Sequence, residues 1–261
     1  MLKIDIVRID VPSRKTCEVI DYVAEEIPLQ IVINKTPYAT LRCSPSNLKE
    51  LAIGHLLSEG ILKSVDEIEG LSLSEEETVC RVKLKKDISA DKRLRLSRSF
   101  SRVIFSACGG RLPFRSVGRQ PKIQSDLIVK AEVIMQGVGR LNSDAKIFRK
   151  TGGVHVAAMY LSDGTLKALA EDVGRHNAVD KVIGACALDN TAFSRCFLAL
   201  SGRLSGDIVL KAARVGLPIV GSLAAAIDSG IAVAKNAHLT LIGFVRGNRM
   251  NVYSVPERIS F

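Results

Sequence analysis

The sequence predicts an α/β protein: a sheet with helices on both faces, preceded by a smaller α+β unit at the N-terminus. Two observations lead to this class. After residue 123, short apolar strands alternate with amphipathic helices, which is typical of α/β folds. Hydrophobic residues make up 47% of the 261 positions, so the chain can bury a full core. We divide it into residues 1–86, 87–122 and 123–261.

The N-terminal unit begins with a predicted hairpin. Apolar stretches at 27–33 and 38–43 flank a polar turn at 34–37. Ser44-Pro45 then offers a helix cap and a first-turn proline, and the helix should end near Gly60. The apolar stripe of this helix consists of Leu48, Leu51, Ala52, Leu56 and Leu57.

Positive charge is concentrated in the middle segment. The net charge is +10, and between Arg81 and Lys122 there are 13 Lys or Arg against two Asp. Such a segment attracts anions, and nucleic acid is the first candidate. Its only aromatic residues are three phenylalanines, and it carries no helix-turn-helix, zinc-finger, KH or RRM pattern. We therefore expect no nucleic-acid partner.

The C-terminal unit alternates between helices and strands. The pattern predicts helices at 126–136, 174–187, 204–215 and 225–236. It predicts strands at 154–161, 166–170, 196–200, 217–221, 239–245 and 250–253. A Ser162-Asp163-Gly164 turn joins the first two strands. This alternation places helices on both faces of one sheet.

The segment from Glu171 to Lys181 packs several ionisable side chains into the start of one predicted helix. His176 and Asp180 stand four residues apart and so share a face of that helix. Asp172 can cap the helix. Two interpretations remain open: an ordinary amphipathic helix with a satisfied His–Asp pair, or a ligand pocket shaped by the two side chains.

Three more segments accompany this one: Thr151–His155, Ser201–Ser205 and Leu241–Arg249. In that order and with that spacing, the set resembles the FdhD family, the sulfur-carrier accessory proteins of formate dehydrogenase. The resemblance runs from about Glu25 to about Arg258. It implies a cytidine-deaminase-like fold with a mixed sheet.

The resemblance also implies a function. FdhD-like proteins take sulfur from a cysteine desulfurase and deliver it to the molybdenum bis-guanine-dinucleotide cofactor of apo formate dehydrogenase. The chain would then bind the guanine-nucleotide halves of that cofactor, act as a sulfurtransferase-type accessory protein and form a homodimer. By motif match, the cofactor-binding residues would be Val245, Arg246, Gly247, Asn248, Arg249 and Met250. From the residues alone, Gly247-Asn248 is a hairpin turn flanked by solvated arginines.

Cys108 is the candidate catalytic residue. It lies in the basic segment and is followed by two glycines, which free the backbone to present and move a thiol. Nearby arginines favour the nucleophilic thiolate. The alternative is a small hydrophobic residue packed in a turn. The resemblance implies that Cys108 carries a persulfide.

Two positions depart from the FdhD pattern. Arg111 replaces the second cysteine of Cys-Gly-x-Cys, so a relay between two thiols is unavailable from this loop and only a one-cysteine relay remains. Ala224-Ala225-Ala226-Ile227 stands where the family has Ser-Ala-x-Thr, so two hydroxyl groups are absent. These departures favour one alternative function, a non-catalytic chaperone that binds the guanine-dinucleotide cofactor without sulfur chemistry.

Other classes of site are not indicated. No P-loop occurs, and the Gly137–Asn142 segment lacks the third glycine of a dinucleotide fingerprint. The zinc ligands of a deaminase are also missing, and the six cysteines are too widely spaced for structural metal. The sequence shows neither a charged-then-apolar leader nor an apolar stretch that is long enough to span a bilayer. We expect a cytoplasmic protein without a metal site.

Overall fold

The computed structural model describes residues 1–74, 76, 78–86, 88, 93 and 121–261. The strands are β1 (Leu2–Asp10), β2 (Lys15–Val23), β3 (Ile27–Ile33), β4 (Thr36–Cys43), β5 (Ile68–Leu73), β6 (Val79–Leu84), β7 (Val129–Lys130), β8 (His155–Leu161), β9 (Leu166–Asp172), β10 (Cys196–Leu200), β11 (Ile219–Ser222), β12 (Thr240–Arg246), β13 (Arg249–Ser254) and β14 (Ile259–Ser260). The helices are α1 (Leu48–Ser58), α2 (Ala131–Gly139), α3 (Leu141–Asp144), α4 (Lys146–Thr151), α5 (Arg175–Leu188), α6 (Gly206–Arg214) and α7 (Asp228–Ala237).

The central feature is a six-stranded sheet with the order β13-β12-β11-β10-β8-β9. Strands β10, β11 and β12 are parallel to one another, and the flanking strands run antiparallel to their neighbours. The sheet is therefore mixed. The predicted α/β class is confirmed, whereas the cytidine-deaminase-like topology stays a prediction.

Helices cover both faces of this sheet, as predicted. Successive side chains of a strand point to opposite faces, and β10 follows that rule. Phe197 and Ala199 belong to a buried cluster with Ile134 and Val138 of α2. Leu198 belongs to the larger cluster on the other face, which includes apolar residues of α1, α5, α6 and α7.

The N-terminal part of the chain packs into that larger cluster. Its four-stranded sheet, β4-β3-β6-β5, lies beside α1. Helix α1 crosses α5 at two glycines: a Cβ built on Gly54 would lie 1.7 Å from the carbonyl oxygen of Asp180, and one on Gly184 would lie 1.9 Å from that of Glu50. The two backbones are thus in direct contact. The proposed division at 86 and 122 stays a prediction.

Three predicted helix starts are wrong. Helix α1 begins at Leu48 and is preceded by Asn47, which has φ 53°, so Ser44-Pro45 lies before the helix and does not cap it. Helix α2 begins at Ala131, five residues later than predicted, because Val129 and Lys130 form β7, which pairs with β14. Helix α7 begins at Asp228, three residues later than predicted, because the backbone groups of Ala225 and Ile227 bond to Leu204.

The most N-terminal hairpin has no counterpart in the sequence-based prediction. Strands β1 and β2 pair antiparallel from Leu2 opposite Val23 to Asp10 opposite Lys15. Most of their side chains are exposed, including Val7, Ile9 and Ile20.

Among the described residues, no helix is long and apolar enough to cross a membrane.

Candidate functional site

The candidate site lies along one edge of the six-stranded sheet. Strands β10, β11 and β12 end at this edge, and β13 and β8 begin there because they run antiparallel. In α/β proteins, ligands bind in the crevice outside the carboxyl ends of parallel strands. The edge therefore gathers the loops that are placed to contact a ligand.

The six residues predicted to bind cofactor form the turn between β12 and β13. Arg246 pairs with Arg249 across a two-residue loop in which Gly247 has φ 59°. Both arginines, Gly247 and Asn248 are exposed, whereas Val245 is buried among the core residues beneath α2. The predicted hairpin turn is therefore present, and four of the six residues are accessible to a ligand.

Phe244 is a residue of this edge that the sequence reasoning missed. It has φ 52°, a left-handed conformation that is costly for an aromatic residue, and it lies at an irregularity in the pairing of β12 with β13. The guanidinium carbon of Arg246 lies 5.0 Å from the centre of its ring. Strain of this kind concentrates at functional sites. An aromatic residue beside a basic turn was the available sequence signal.

The Ala224–Ile227 segment joins two loops of the edge through its backbone. The carbonyl of Ala224 accepts the Phe244 N–H at 3.0 Å, and that of Ala225 accepts the Leu204 N–H at 3.0 Å. The Ile227 N–H donates to the carbonyl of Leu204. These bonds do not depend on the hydroxyl groups that this segment lacks, so the connection between the loops is kept.

Much of the Glu171–Lys181 segment is used inside the protein. Asp172 and Lys181 form a fully buried ion pair at 2.7 Å. The carboxylate of Asp172 also accepts the N–H groups of Ser44 and Gly174, and Lys181 donates to the carbonyl of Ser44. The segment therefore fastens the chain around Ser44 to the end of β9.

Two further side chains of the segment are used in the same way. The carboxylate of Glu171 accepts the N–H groups of Ile147 and Phe148 at the start of α4. The side-chain amide of Asn177 donates to the carbonyl of Arg42 and to Asp172. Asp172 bonds to the N–H of Gly174, the residue that precedes α5. Helix α5 has no side-chain N-cap, so the prediction that Asp172 caps it is wrong; the carboxylate bonds instead to the residue before the helix.

The two predicted pocket residues, His176 and Asp180, lie in different environments. Asp180 is fully buried and bonded to Lys211 at 2.9 Å, to Ser58 at 2.7 Å and to His55 at 3.1 Å. Burial alone would raise the pKa of Asp180, but Lys211 and His55 lower it to about 2. Burial, followed by Lys211 and Arg175, lowers the pKa of His176 to about 4. That the two line a ligand pocket stays a prediction.

A second group of basic side chains lies further along the same edge. His155 begins β8, Arg175 begins α5, and Arg203 follows β10. A small cavity of about 10 Å³ lies between them. Sequence reasoning placed these residues in motifs but gave none of them a role, because only the strand order brings them together.

The comparisons with known proteins identify the family. The model of the FdhD/NarQ family matches residues 24–260 of this chain. The chain belongs to the FdhD/NarQ family. The family prediction is therefore confirmed. The β1–β2 hairpin lies outside the matched residues.

Individual relatives agree with this membership in the FdhD/NarQ family. The sulfur carrier protein FdhD of Methanothermobacter thermautotrophicus is 37% identical, over 98% of this chain and 98% of its own. That of Sulfolobus acidocaldarius is 39% identical, over 92% and 91%. A crystal structure described as a formate dehydrogenase accessory protein from Desulfotalea psychrophila covers 99% of both chains with a TM-score of 0.80 and 27% identity.

The cysteines of this FdhD/NarQ family member fall into distinct environments. Burial raises the pKa of Cys43, Cys80 and Cys196 to about 11 and that of Cys186 to about 12. These four thiols stay protonated at neutral pH and are poor nucleophiles. Cys17 is exposed on the β1–β2 hairpin. The predicted catalytic residue Cys108, like Arg111, lies outside the described residues.

Proposed function

We propose that this chain is a sulfur carrier for formate dehydrogenase. Cys108 receives sulfane sulfur from a cysteine desulfurase and passes it to the molybdenum bis-guanine-dinucleotide cofactor before that cofactor enters the apoenzyme. One observation carries the proposal: a chain that matches sulfur carrier proteins over nearly its whole length exposes two arginines at the edge of its sheet where the parallel strands end. The protein acts as a cytoplasmic homodimer.

The exposed turn supports the cofactor-binding half of the proposal. Arg246 and Arg249 present two guanidinium groups, which suit phosphate oxygens because each offers paired N–H donors. Gly247 has no side chain to hinder the approach of a ligand to the backbone. The ring of Phe244 adds an aromatic surface beside them, and such surfaces stack on nucleobases. The turn therefore has groups for both parts of a guanine nucleotide.

The cysteine environments support the sulfur-transfer half. In the first step the Cys108 thiolate attacks the sulfane sulfur of the desulfurase persulfide, and the desulfurase cysteine leaves as a thiolate. This step requires an ionised, accessible thiol. The four buried cysteines do not meet that requirement, because burial raises each pKa to about 11 or 12. Arg111 replaces the second cysteine of the loop, so Cys108 acts alone.

The length of chain between Cys108 and the described residues is compatible with transfer to the turn. The described chain resumes at residue 121, and the Ile123 N–H donates to the carbonyl of Ala237 just before β12 begins. Arg246 lies at the other end of that strand, about 20 Å away for seven residues. The 13 residues from 108 to 121 reach at most about 45 Å. The chain is thus long enough to bring Cys108 to either end.

The first experiment measures sulfur on each cysteine. The purified protein is incubated with a cysteine desulfurase and cysteine, and the mass of every cysteine-containing peptide is measured by mass spectrometry. We expect one or more added sulfurs on the Cys108 peptide and none in Cys108→Ser. Cys17→Ser is the matched control, since it removes the exposed thiol of the hairpin and should leave the gain on Cys108 unchanged. An unmodified Cys108 beside an active desulfurase would contradict the proposal.

The second candidate function is a cofactor chaperone without sulfur chemistry. Arg111 favours it, because the loop that bears Cys108 has lost the second thiol of the family pattern. The two functions differ in one assay, the restoration of formate dehydrogenase activity in cells that lack the accessory protein. If the protein is a sulfur carrier, the Cys108→Ser variant fails to restore formate dehydrogenase activity. If it is a chaperone, the variant restores that activity.

A further inference from the structure

The Nε of Arg175 takes no part in the hydrogen-bond network around the Glu171–Lys181 segment. Glu171, Asp172, Asn177 and Lys181 all bond within the protein, as described above. The Nε of Arg175, in contrast, is shielded from solvent and has no hydrogen-bond partner among the described residues. A buried donor without an acceptor is costly, because it gives up its bonds to water. An acceptor from a ligand would remove that cost.

A second unpartnered donor follows Arg203 by two residues and precedes Ile208, and both of those residues line the small cavity. The hydroxyl of Ser205 is shielded from solvent and is also without a hydrogen-bond partner among the described residues. Ser205 directly precedes α6, a nine-residue helix, yet its side chain does not cap the helix. The first N–H groups of a helix favour anions. The two unused donors therefore accompany a local environment that suits negative charge.

The loop at Gly202 brings the basic groups together. A Cβ built on Gly202 would lie 3.3 Å from the Cβ of Arg175 and 3.5 Å from the Nδ1 of His155. The small cavity beside these residues is also lined by Arg203 and holds about 10 Å³, enough for roughly one oxygen atom. Burial, followed by Arg175, lowers the pKa of His155, so its ring is neutral at neutral pH and keeps one N–H.

The charges around the cavity are mostly positive. Arg175 and Arg203 are both cationic, and the nearby carboxylate of Asp172 is paired with Lys181. The other acidic neighbour, Asp207, lies in the first turn of α6, where burial raises the pKa of its carboxyl and Lys211 and Arg175 oppose that rise. It is one carboxylate beside two cations. An incoming anion would thus meet two cations and several N–H or O–H donors.

We propose that Arg175, Arg203, His155 and Ser205 form a second oxyanion subsite, which takes a phosphoryl group. The identity of its ligand as the guanine nucleotide rests on the proposed function; the anion chemistry does not. The subsite and the Arg246–Arg249 turn share one sheet edge, and the order β12-β11-β10-β8 separates their strands by two to three spacings of about 4.8 Å. One extended nucleotide cofactor can span that distance of about 10–14 Å.

Calorimetric titration tests the subsite with three probes: GDP, inorganic pyrophosphate and guanosine. We expect Arg175→Gln and Arg203→Gln each to weaken the binding of GDP and pyrophosphate by about tenfold and to leave guanosine unchanged. Arg140→Gln is the control, because this exposed arginine lies on α2's C-terminal side and pairs with Asp144. Arg203 is exposed, so its replacement keeps the packing intact if Arg175→Gln fails to fold.

The outcomes separate the subsite from the proposed function. If both variants bind GDP and pyrophosphate as the wild type does, the subsite is wrong, even where Arg246→Gln weakens GDP binding. If only pyrophosphate binding is weakened, the subsite takes free phosphate, and its assignment to the nucleotide is overturned. If the wild type binds pyrophosphate through Arg175 but does not bind GDP, the subsite stands and the proposed function fails.

Discussion

Lys211 and Asp180 show how individual charged residues are accommodated in the interior. The Nζ of Lys211 lies 2.9 Å from Asp180, 3.0 Å from Glu59 and 2.9 Å from the hydroxyl of Ser58. Burial alone would lower the pKa of Lys211, but Asp180 and Glu59 raise it. Removing one partner of such a pair costs about 3–5 kcal/mol, because the other charge stays buried. The network therefore ties α1, α5 and α6 together.

His176 should make stability depend on pH. Its pKa falls from 6.5 to about 4 in the folded state, so folding favours the neutral ring. The stabilisation that comes from this shift is fully present above pH 6.5. As the pH falls towards 4, the free energy of unfolding decreases by up to about 3 kcal/mol. Urea unfolding of the wild type and of His176→Gln between pH 8 and pH 4 measures this. We expect the wild type to lose more stability than the variant, and parallel pH profiles would contradict the assignment.

Thiol accessibility gives a second prediction at this scale. Iodoacetamide at pH 7.5 should label Cys108 and Cys17 in the folded protein within minutes. Cys43, Cys80, Cys186 and Cys196 should react only after unfolding, because they are buried and their raised pKa values keep them protonated. Peptide mass spectrometry before and after addition of urea measures each site. Rapid labelling of a buried cysteine in the native protein would refute this ranking.

Single residues were predictable from the sequence where the signal is local. Gly247 was expected in a turn, and it has the positive φ that such a turn requires. The meeting of His155, Arg175 and Arg203 was not predictable, because these residues come together only through the strand order β10-β8-β9. The strained backbone of Phe244 also has no local signature.

At the scale of elements, the crossing of α1 and α5 is the most demanding contact. The backbones touch at Gly54 and Gly184, where any Cβ would collide with a carbonyl group. The sequence predicted both helices from their apolar spacing, but it did not indicate that they meet. Glycine inside a helix costs about 1 kcal/mol relative to alanine. That cost is offset here by a close approach that no other residue allows.

Gly184→Ala should therefore destabilise the protein. Its Cβ would lie 1.9 Å from the carbonyl oxygen of Glu50, so the helices must separate, and we expect a loss of about 1–3 kcal/mol or more in the free energy of unfolding. Gly139→Ala is the matched control: it also lies in a helix, has no atom within 4 Å of a built Cβ, and should gain about 0.4–1 kcal/mol. Urea midpoints for both variants decide the matter. Equal midpoints would show that the crossing adapts freely.

The whole molecule is held together by a core that crosses the predicted boundary at residue 86. One buried cluster contains Leu29, Ile31 and Val82 from the N-terminal sheet together with Val179 and Leu198 from the C-terminal part. Composition and periodicity could not show this, because both describe each segment by itself. The helices and strands were thus largely predictable, but the way in which the two parts join was not.

Unfolding should consequently be a single transition. Tyr38 reports on the N-terminal sheet and Tyr160 on the central sheet. Because the chain has four tyrosines, each part is followed by fluorescence in a variant in which the other three are replaced by phenylalanine. We expect the two signals to change at the same urea concentration, together with the far-ultraviolet circular dichroism. Removal of residues 1–23, which are mostly exposed and lie outside the matched family region, should shift that midpoint little. Two separate transitions would support independent units.

The contact between α1 and α5 also constrains how the sequence can change over time. Each glycine accommodates a carbonyl on the opposite helix, and the two helices come from distant stretches of the chain. A recombinant that takes residues 1–86 from one relative and the remainder from another keeps this fit only if both parents carry small residues at the two positions. Substitutions at the two positions are therefore expected to be coupled, although 130 positions, 54 to 184, separate them.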